Sequence, residues 1–166
     1  MKEGSIAEHL MGDHFRLDGL LAAATRREPM DLDAYAEFRG GLLRHIAIEE
    51  KILLPAVERA RDGVPLEIAA RLRLDHGAIA ALLVPTPTPA IVATLRHILA
   101  RHNGIEEGPT GLYATCDRML AADVARLVAE MARYLAVAVS PHNDAGVVMP
   151  AVIRALERAG YQLLGG

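Results

Sequence analysis

The chain has 166 residues, a formal net charge of −3, 52% hydrophobic residues and one cysteine. This length is enough to bury a full core without disulfides, and the single cysteine, Cys116, excludes an intrachain disulfide. Arginines are spread among acidic residues, and the chain has no tryptophan and only two phenylalanines, so we expect neither a basic nucleic-acid footprint nor an aromatic platform for single strands.

The chain also lacks the sequence signals of export and membrane insertion. Residues 1–5 are polar, without an apolar segment behind a basic start, and the longest apolar run, around 134–139, is far too short to span a bilayer. We therefore expect a cytoplasmic protein with no membrane partner. Alanine, leucine, valine and arginine dominate the composition, which favours helices over sheets.

The first predicted helix covers residues 6–27. Ser5 is suited to be its N-cap, and Glu8, three residues later, completes a capping box. Apolar residues follow at helical spacing, and Pro29 ends the pattern.

A second helix is expected to begin after an aspartate cap, Asp31 or Asp33, and to continue towards Ala60. Pro55 interrupts it. We expect a kink there and not a stop, because the apolar pattern continues beyond the proline.

Helix-breaking residues separate two further predicted helices. Pro65 suits the first turn of a third helix with apolar positions up to Leu83, and the proline-rich stretch 85–89 predicts a stiff, extended connection. The fourth helix is predicted over 90–107, and the Gly-Pro-Thr-Gly sequence 108–111 should end or bend it.

Four helices with short connections predict an all-α, up-down-up-down four-helix bundle over about residues 5–115. Residues 117–166 add one amphipathic helix over 124–138 and a shorter one over 152–159. Their apolar faces must be covered by the bundle or by a second copy, which leaves a homodimer open. The whole chain, 1–166, is expected to be a single domain.

Two His-x-x-x-Glu pairs recur along the chain. A histidine and a glutamate four residues apart lie one turn apart on the same helix face, so each pair can present both side chains to one metal. Random placement of seven histidines and twelve glutamates would give roughly 0.5 such pairs. A lone histidine precedes each pair, which gives the set His14, His45, Glu49, His76, His102 and Glu106.

These donors predict a two-metal site. Imidazole and carboxylate without thiolate suit iron, manganese or zinc, and helix bundles with inward-facing histidines and carboxylates are a known scaffold for paired irons. Glu49 and Glu106 are the natural bridging carboxylates, and the four histidines are terminal ligands.

The chain resembles the hemerythrin-like, HHE cation-binding family over about residues 5–120. The resemblance rests on Asp13-His14, on His45 to Pro55 (HIAIEEKILLP), on Asp75-His76 and on His102 to Tyr113 (HNGIEEGPTGLY). It implies a non-haem site of two iron ions with an oxo or hydroxo bridge, which interacts with O2, NO or related species such as peroxide.

Two departures from the family pattern bear on function. Oxygen-carrying members have a second histidine one turn after the first on the third helix, and here that position is Ala80. An extra open position favours sensing or redox chemistry over reversible oxygen carriage. Gly104, Gly108 and Pro109 weaken the helix around Glu106, which makes Glu106 the least secure ligand.

Three functions are therefore considered. The first is a di-iron protein that binds or senses O2, NO or peroxide, or handles iron under oxidative stress. The second is a di-iron oxidase, peroxidase or NO reductase, for which Tyr113 is the nearby candidate proton donor. The third is an interaction module in which zinc or iron ties the helices together.

The remaining candidates are assigned other roles. His9, His97 and His142 are expected to lie away from the metal, and Cys116 to be a buried apolar residue. Asp13 and Asp75 directly precede ligand histidines and so should point elsewhere. The sequence favours a capping or surface role for both over a hydrogen bond to a ligand.

Overall fold

The computed structural model of the protein describes residues 4–165, which form helices, turns and irregular segments without a β-strand. The all-α prediction is confirmed. Among the described residues, no helix combines the length and the apolar character that crossing a bilayer requires. The elements are α1 (Ile6–Ala24), α2 (Leu32–Ile48), a π-helical segment (Glu49–Leu53), α3 (Leu54–Arg59), α4 (Ala69–Leu82), α5 (Pro89–Glu107), α6 (Leu112–Met119), α7 (Val124–Ala132) and α8 (Val148–Arg158).

The chain divides into two compact units. The first holds the chain up to Leu66 together with Glu106–Val139, and the second holds Glu67–Ile105 together with the chain from Ser140 onwards. The first unit therefore contains α1, α2, the π-helical segment, α3, α6 and α7, while α4, α8 and most of α5 belong to the second.

Helix α1 begins where its cap predicts. The Ser5 hydroxyl accepts a hydrogen bond from the Glu8 N–H at 3.0 Å, and the Glu8 carboxylate accepts one from the Gly4 N–H at 2.6 Å. The reciprocal bond of the capping box is thus displaced by one residue. The helix ends at Ala24, before the expected Arg27.

Helix α2 is capped by Asp31, whose carboxylate accepts hydrogen bonds from the next helical N–H groups. The predicted interruption near Pro55 takes the form of the π-helical segment. There the Leu54 N–H reaches back five residues to the Glu49 carbonyl. Proline has no N–H and its ring clashes with the carbonyl four residues earlier, so one widened turn lets the helix pass it.

The first unit packs α1 against α2 through apolar residues at helical spacing. A close approach occurs at Gly41, where an added Cβ would lie 2.8 Å from Leu17 Cδ2. Helix α6 fastens to the start of α1, because the Asp117 carboxylate accepts hydrogen bonds from the N–H groups of Ile6 and Ala7 at 2.8 and 3.2 Å. The first N–H groups of a helix have no partner within the helix and lie at the positive end of its dipole, so a carboxylate is favourable there.

In the second unit, α4 starts at Ala69, later than the Pro65 start predicted from the sequence, and packs against α8. Helix α5 matches its predicted span closely and continues through Gly104 to Glu107. The proline-rich connection is non-helical, and its Thr86 donates hydrogen bonds through N–H and hydroxyl to the Asp144 carboxylate at 2.8 and 2.7 Å.

The C-terminal prediction is partly wrong. The helix expected over 124–138 ends at Ala132, and residues 134–139 have no regular secondary structure. The Arg44 guanidinium accounts for this early end, because it donates hydrogen bonds at 2.9 Å to the carbonyls of Met131 and Tyr134, which a continuing helix would use as acceptors. Helix α6 was not predicted as a separate element.

Candidate metal centre

Two buried histidines face each other in the first unit. His14 lies on α1 and His45 on α2, and their Nε2 atoms are 2.9 Å apart. The ring centroids are separated by 4.5 Å. The packing of α1 on α2 therefore brings together two predicted ligands that are distant in sequence.

The other ring nitrogens of this pair contact carboxylates. His45 Nδ1 lies 3.0 Å from Asp13 Oδ2, and His14 Nδ1 lies 2.6 Å from Glu107 Oε1. A carboxylate accepts, so each Nδ1 carries its proton and, in the neutral tautomer, each Nε2 presents a lone pair. Two lone pairs that converge in this way need a cation beside them, which is either a shared proton or a metal ion.

Two fully buried glutamates complete this cluster. Glu49 begins the π-helical segment one turn after His45, and its Oε1 lies 3.5 Å from His45 Nε2. Glu106, near the end of α5, places Oε2 at 3.5 Å from His14 Nε2. Donor atoms of His14, His45 and Glu106 all lie within 4.8 Å of one another. The glycines near Glu106 thus do not remove it from the site.

A tyrosine hydroxyl lies among these four side chains. The Tyr113 hydroxyl, carried by α6, is 2.7 Å from Glu49 Oε1 and 3.1 Å from Glu106 Oε2. It is also 3.2 Å from His14 Nε2 and 3.4 Å from His45 Nε2. The sequence identified Tyr113 as a nearby proton donor, and the structure brings its hydroxyl into contact with all four predicted ligands of this unit.

The charges of the cluster shift its pKa values in opposite directions. Burial alone would lower the pKa of His45, but the carboxylates of Glu49 and Asp13 outweigh it and raise that pKa to about 10. Burial and the neighbouring His45 lower the pKa of His14. At neutral pH His45 is therefore an imidazolium, with a proton on each ring nitrogen, while His14 is neutral. Burial, followed by the charges of Glu49 and Glu106, raises the pKa of Tyr113 well above its usual value, so its phenol stays protonated.

The second unit contains a similar histidine pair. His76 lies on α4 and His102 on α5, with their Nε2 atoms 3.1 Å apart and their ring centroids 4.8 Å apart. His102 Nδ1 lies 3.4 Å from Asp75 Oδ2, which is the same relation that Asp13 has to His45. Both histidines and Asp75 are buried.

A chain of hydrogen bonds holds Asp75. The Arg71 guanidinium donates to Asp75 Oδ1 at 2.7 Å, to the Ala159 carbonyl at 2.9 Å and to the Tyr161 hydroxyl at 2.8 Å. Burial opposes the charge of Asp75, but the hydrogen bond to His102 and the charge of Arg71 outweigh it and lower the pKa of that carboxyl. Asp75 is therefore ionised and fixed beside a predicted ligand.

All six predicted ligands are buried. The first unit brings together His14, His45, Glu49 and Glu106, and the second unit pairs His76 with His102.

The sequence interpretation of Asp13 and Asp75 needs correction. A capping or surface role was favoured for both, but each carboxylate contacts the Nδ1 atom of the histidine on the following ligand helix. A carboxylate on the outer nitrogen fixes the tautomer and orientation of a metal-binding imidazole. The recurring Asp-His dipeptide was the available sequence signal.

The other histidines and the cysteine differ in their surroundings. His97 is exposed on α5 and contacts the Tyr161 ring, with centroids 6.0 Å apart. Within the described chain, the clusters of possible metal donors do not include His9, His97 or His142. Cys116 is buried, and burial raises the pKa of its thiol to about 12, so it is an unreactive apolar side chain at neutral pH.

Comparison of the chain with family models, with curated proteins and with solved structures gives no match. The buried histidine and glutamate side chains are therefore the basis for any functional assignment. They form a group that could hold a metal ion.

Proposed function

We propose that the protein is a hemerythrin-like, non-haem di-iron protein that binds or senses O2, NO or peroxide, or handles iron under oxidative stress. The observation that carries the proposal is the convergence of His14 Nε2 and His45 Nε2 at 2.9 Å, with both Nδ1 atoms beside carboxylates and with buried Glu49 and Glu106 alongside. A purely structural core would have little reason to bury so many ionisable groups together.

The donor atoms of the first unit fit a metal ion. Metal bonds to histidine and carboxylate are about 2.1 Å long, so two donors at right angles on one ion lie about 3.0 Å apart. The separations between neighbouring donors here are 2.9 Å for the two histidines and 3.5 Å for each histidine with its glutamate. The shared proton of the metal-free pair would leave when a metal binds.

In this proposal, each histidine pair provides terminal ligands for one iron ion. His14 and His45 serve one ion, His76 and His102 the other, and Glu49 and Glu106 have the bridging role that the ligand pattern predicts. A bound iron pair supplies reversible Fe(II)/Fe(III) chemistry towards a small ligand. Manganese or zinc would fit the same donors, and the four-helix bundle topology for α1, α2, α4 and α5 belongs to the proposal.

The site's own residues would set the conditions for that chemistry. Asp13 and Asp75 hold His45 and His102 in the tautomer that leaves Nε2 free for a metal. The burial of Glu49 and Glu106, both with zero exposed fraction, excludes bulk water from their oxygens. These features favour a small diffusible ligand over a large substrate.

Metal analysis tests the proposal directly. Protein purified without added metal, or reconstituted anaerobically with Fe(II) and then oxidised, should contain two iron ions per chain and show ferric absorption in the near ultraviolet. His45→Ala should lose most of this iron, because it removes a central donor. His97→Ala is the matched control, since His97 lies exposed on α5, and it should retain full iron.

The same preparations then test ligand binding. Addition of NO to the Fe(II) protein, or of O2 or peroxide, should change the visible spectrum of the wild-type protein and of His97→Ala. Stoichiometric zinc with no affinity for iron, or equal iron content in His45→Ala and wild type, would contradict the proposal. Zinc alone would instead identify a metal-stabilised helical module.

A further inference from the structure

We propose that Tyr113 is itself a ligand of the first metal, binding ferric iron through its phenolate oxygen. The inference rests on the proposed metal function and adds a donor that the His-x-x-x-Glu pattern does not contain. It adds Tyr113 to His14, His45 and Glu106, whose donor atoms all lie within 4.8 Å of one another.

The first argument is the number of polar atoms around the hydroxyl. The Tyr113 oxygen has four of them between 2.7 and 3.4 Å: one oxygen each of Glu49 and Glu106, and Nε2 of each histidine. A phenol donates only one hydrogen bond and accepts at most two. Four polar neighbours therefore exceed the hydrogen-bonding capacity of one hydroxyl. Three of these neighbours, the donor atoms of His14, His45 and Glu106, form a group that could hold a metal ion. A metal cation there would bind these three donors together with the phenolate oxygen.

The second argument is the shape of the donor set. Within the group of His14, His45 and Glu106, His14 Nε2 lies 2.9 Å from His45 Nε2 and 3.5 Å from Glu106 Oε2. The Tyr113 oxygen lies between 3.1 and 3.4 Å from all three of these atoms. These separations match the approximately 3.0 Å expected for neighbouring donors on one ion with bonds of about 2.1 Å.

The third argument is that the local fold fixes the tyrosine. Tyr113 lies on α6 with no exposed surface, and on the same helix Asp117 binds the N–H groups of Ile6 and Ala7 at the start of α1. Helix α1 also carries His14. The contact between α6 and α1 therefore sets the position of the phenol relative to a histidine ligand, as a preformed site requires.

On coordination, the Tyr113 oxygen would exchange its bond to hydrogen for a bond to iron, without electron transfer. The phenol O–H bond breaks, a bond between the oxygen and the ferric ion forms, and the proton leaves to the buffer. The phenolate is a hard, anionic donor, so it stabilises Fe(III) relative to Fe(II). Tyr113 would thus favour the oxidised state of the first metal.

The test uses the spectrum of the ferric protein. Coordinated phenolate gives an intense charge-transfer band in the visible region, and laser excitation in that band enhances the ring vibrations of tyrosinate in the Raman spectrum. Wild-type protein reconstituted with iron should show both signals. Tyr113→Phe should lose both while it retains two iron ions per chain, and it should release one proton fewer when Fe(III) binds.

Tyr35→Phe is the matched control, because Tyr35 is also fully buried in the first unit but packs its ring against Phe38. This variant should keep the wild-type spectrum. If Tyr113→Phe folds poorly, the Raman spectrum of the wild type decides alone, since tyrosinate vibrations appear only when a tyrosine binds the metal.

The two proposals fail in different ways. A wild-type protein that holds two irons but has no tyrosinate signal, or a Tyr113→Phe protein that keeps the visible band, would overturn the assignment of Tyr113 and leave the di-iron function standing. A wild-type protein that binds no iron at all would overturn both.

Discussion

The two histidine pairs of this protein follow one plan in two different settings. In each unit, an aspartate directly before the first histidine contacts Nδ1 of the second, and the two Nε2 atoms face each other at 2.9 Å in the first unit and 3.1 Å in the second. This arrangement depends on tertiary packing, since the aspartate and the histidine that it contacts belong to different helices. In the sequence, only the repeated Asp-His dipeptide indicates it.

The settings differ in how the aspartate is held. Asp13 lies near the surface, where its partner besides His45 is Arg16, a side chain with half of its surface exposed. Asp75 is fully buried, and Arg71 ties it to the Ala159 carbonyl and the Tyr161 hydroxyl. The aspartate of the first histidine pair is therefore held by a surface ion pair, and that of the second by a hydrogen-bond network that includes Tyr161.

This difference separates two tasks that the proposed metal site must perform. The first unit places oxygen atoms of Glu49, Glu106 and Tyr113 around its histidines. The second unit supplies a fixed orientation, because Asp75 cannot move without breaking several hydrogen bonds. We therefore expect substitutions of equivalent residues in the two units to have unequal effects.

The largest difference is expected between Asp75→Ala and Asp13→Ala. Loss of the buried Asp75 removes charged hydrogen bonds to Arg71 and His102, which should lower the free energy of unfolding by about 1.5–3 kcal/mol. Asp13→Ala removes bonds near solvent and should lower it by about 0.5–1.5 kcal/mol. Urea denaturation of the metal-free proteins, followed by circular dichroism at pH 7, measures both.

The conservative variants add a metal readout to the same comparison. Asp75→Asn and Asp13→Asn keep the shape of the side chain but remove its charge, and each should weaken iron binding by about 10–100-fold. Equal losses of stability in the two alanine variants would show that the buried network around Asp75 contributes no more to the free energy of unfolding than the contacts of Asp13 near solvent.

A smaller effect is expected from Tyr161→Phe. This change removes only the hydroxyl that accepts a hydrogen bond from Arg71, so the free energy of unfolding should fall by about 0.5–1.5 kcal/mol. Tyr134→Phe is the control, because the bond of Tyr134 to Arg44 uses its backbone carbonyl. If Tyr161→Phe and Tyr134→Phe were equally stable, the end of the chain would have no part in orienting Asp75.

Part of the candidate site could be predicted from the sequence, because helix periodicity determines locally which side chains share a face. His45 and Glu49, one turn apart, must share a helix face wherever that helix lies, and burial of both follows from the apolar residues around them. The partner of Asp13 could not be predicted in this way. Its contact with His45 depends on the packing of α1 on α2, where Gly41 permits a close approach.

Prediction of the helices has the same limit: features set by local residues could be predicted, and features set by distant contacts could not. The starts of α1 and α2 follow from local caps: Ser5 was predicted, and Asp31 was one of the two aspartates expected to cap the second helix. The end of α7 depends on Arg44, a residue far away in the sequence, so the apolar periodicity up to residue 138 was misleading. The position of the Tyr113 hydroxyl depends likewise on how α6 packs on α1.

The smallest effect is expected from Arg16→Ala, which removes the surface partner of Asp13. The bond from Arg16 to Asp13 is 2.7 Å long, but an exposed ion pair contributes only about 0–0.5 kcal/mol at neutral pH. The pH dependence is more informative. Burial opposes ionisation of Asp13, but hydrogen bonds to His45 and Arg16 lower its pKa from 3.8 to about 2. Its stabilising contribution is therefore present above the unfolded pKa and is lost as the pH falls through about 2. In Arg16→Ala the loss should begin at a higher pH, which acid titrations of both metal-free proteins will detect; coincident titration curves would assign the low pKa to His45 alone.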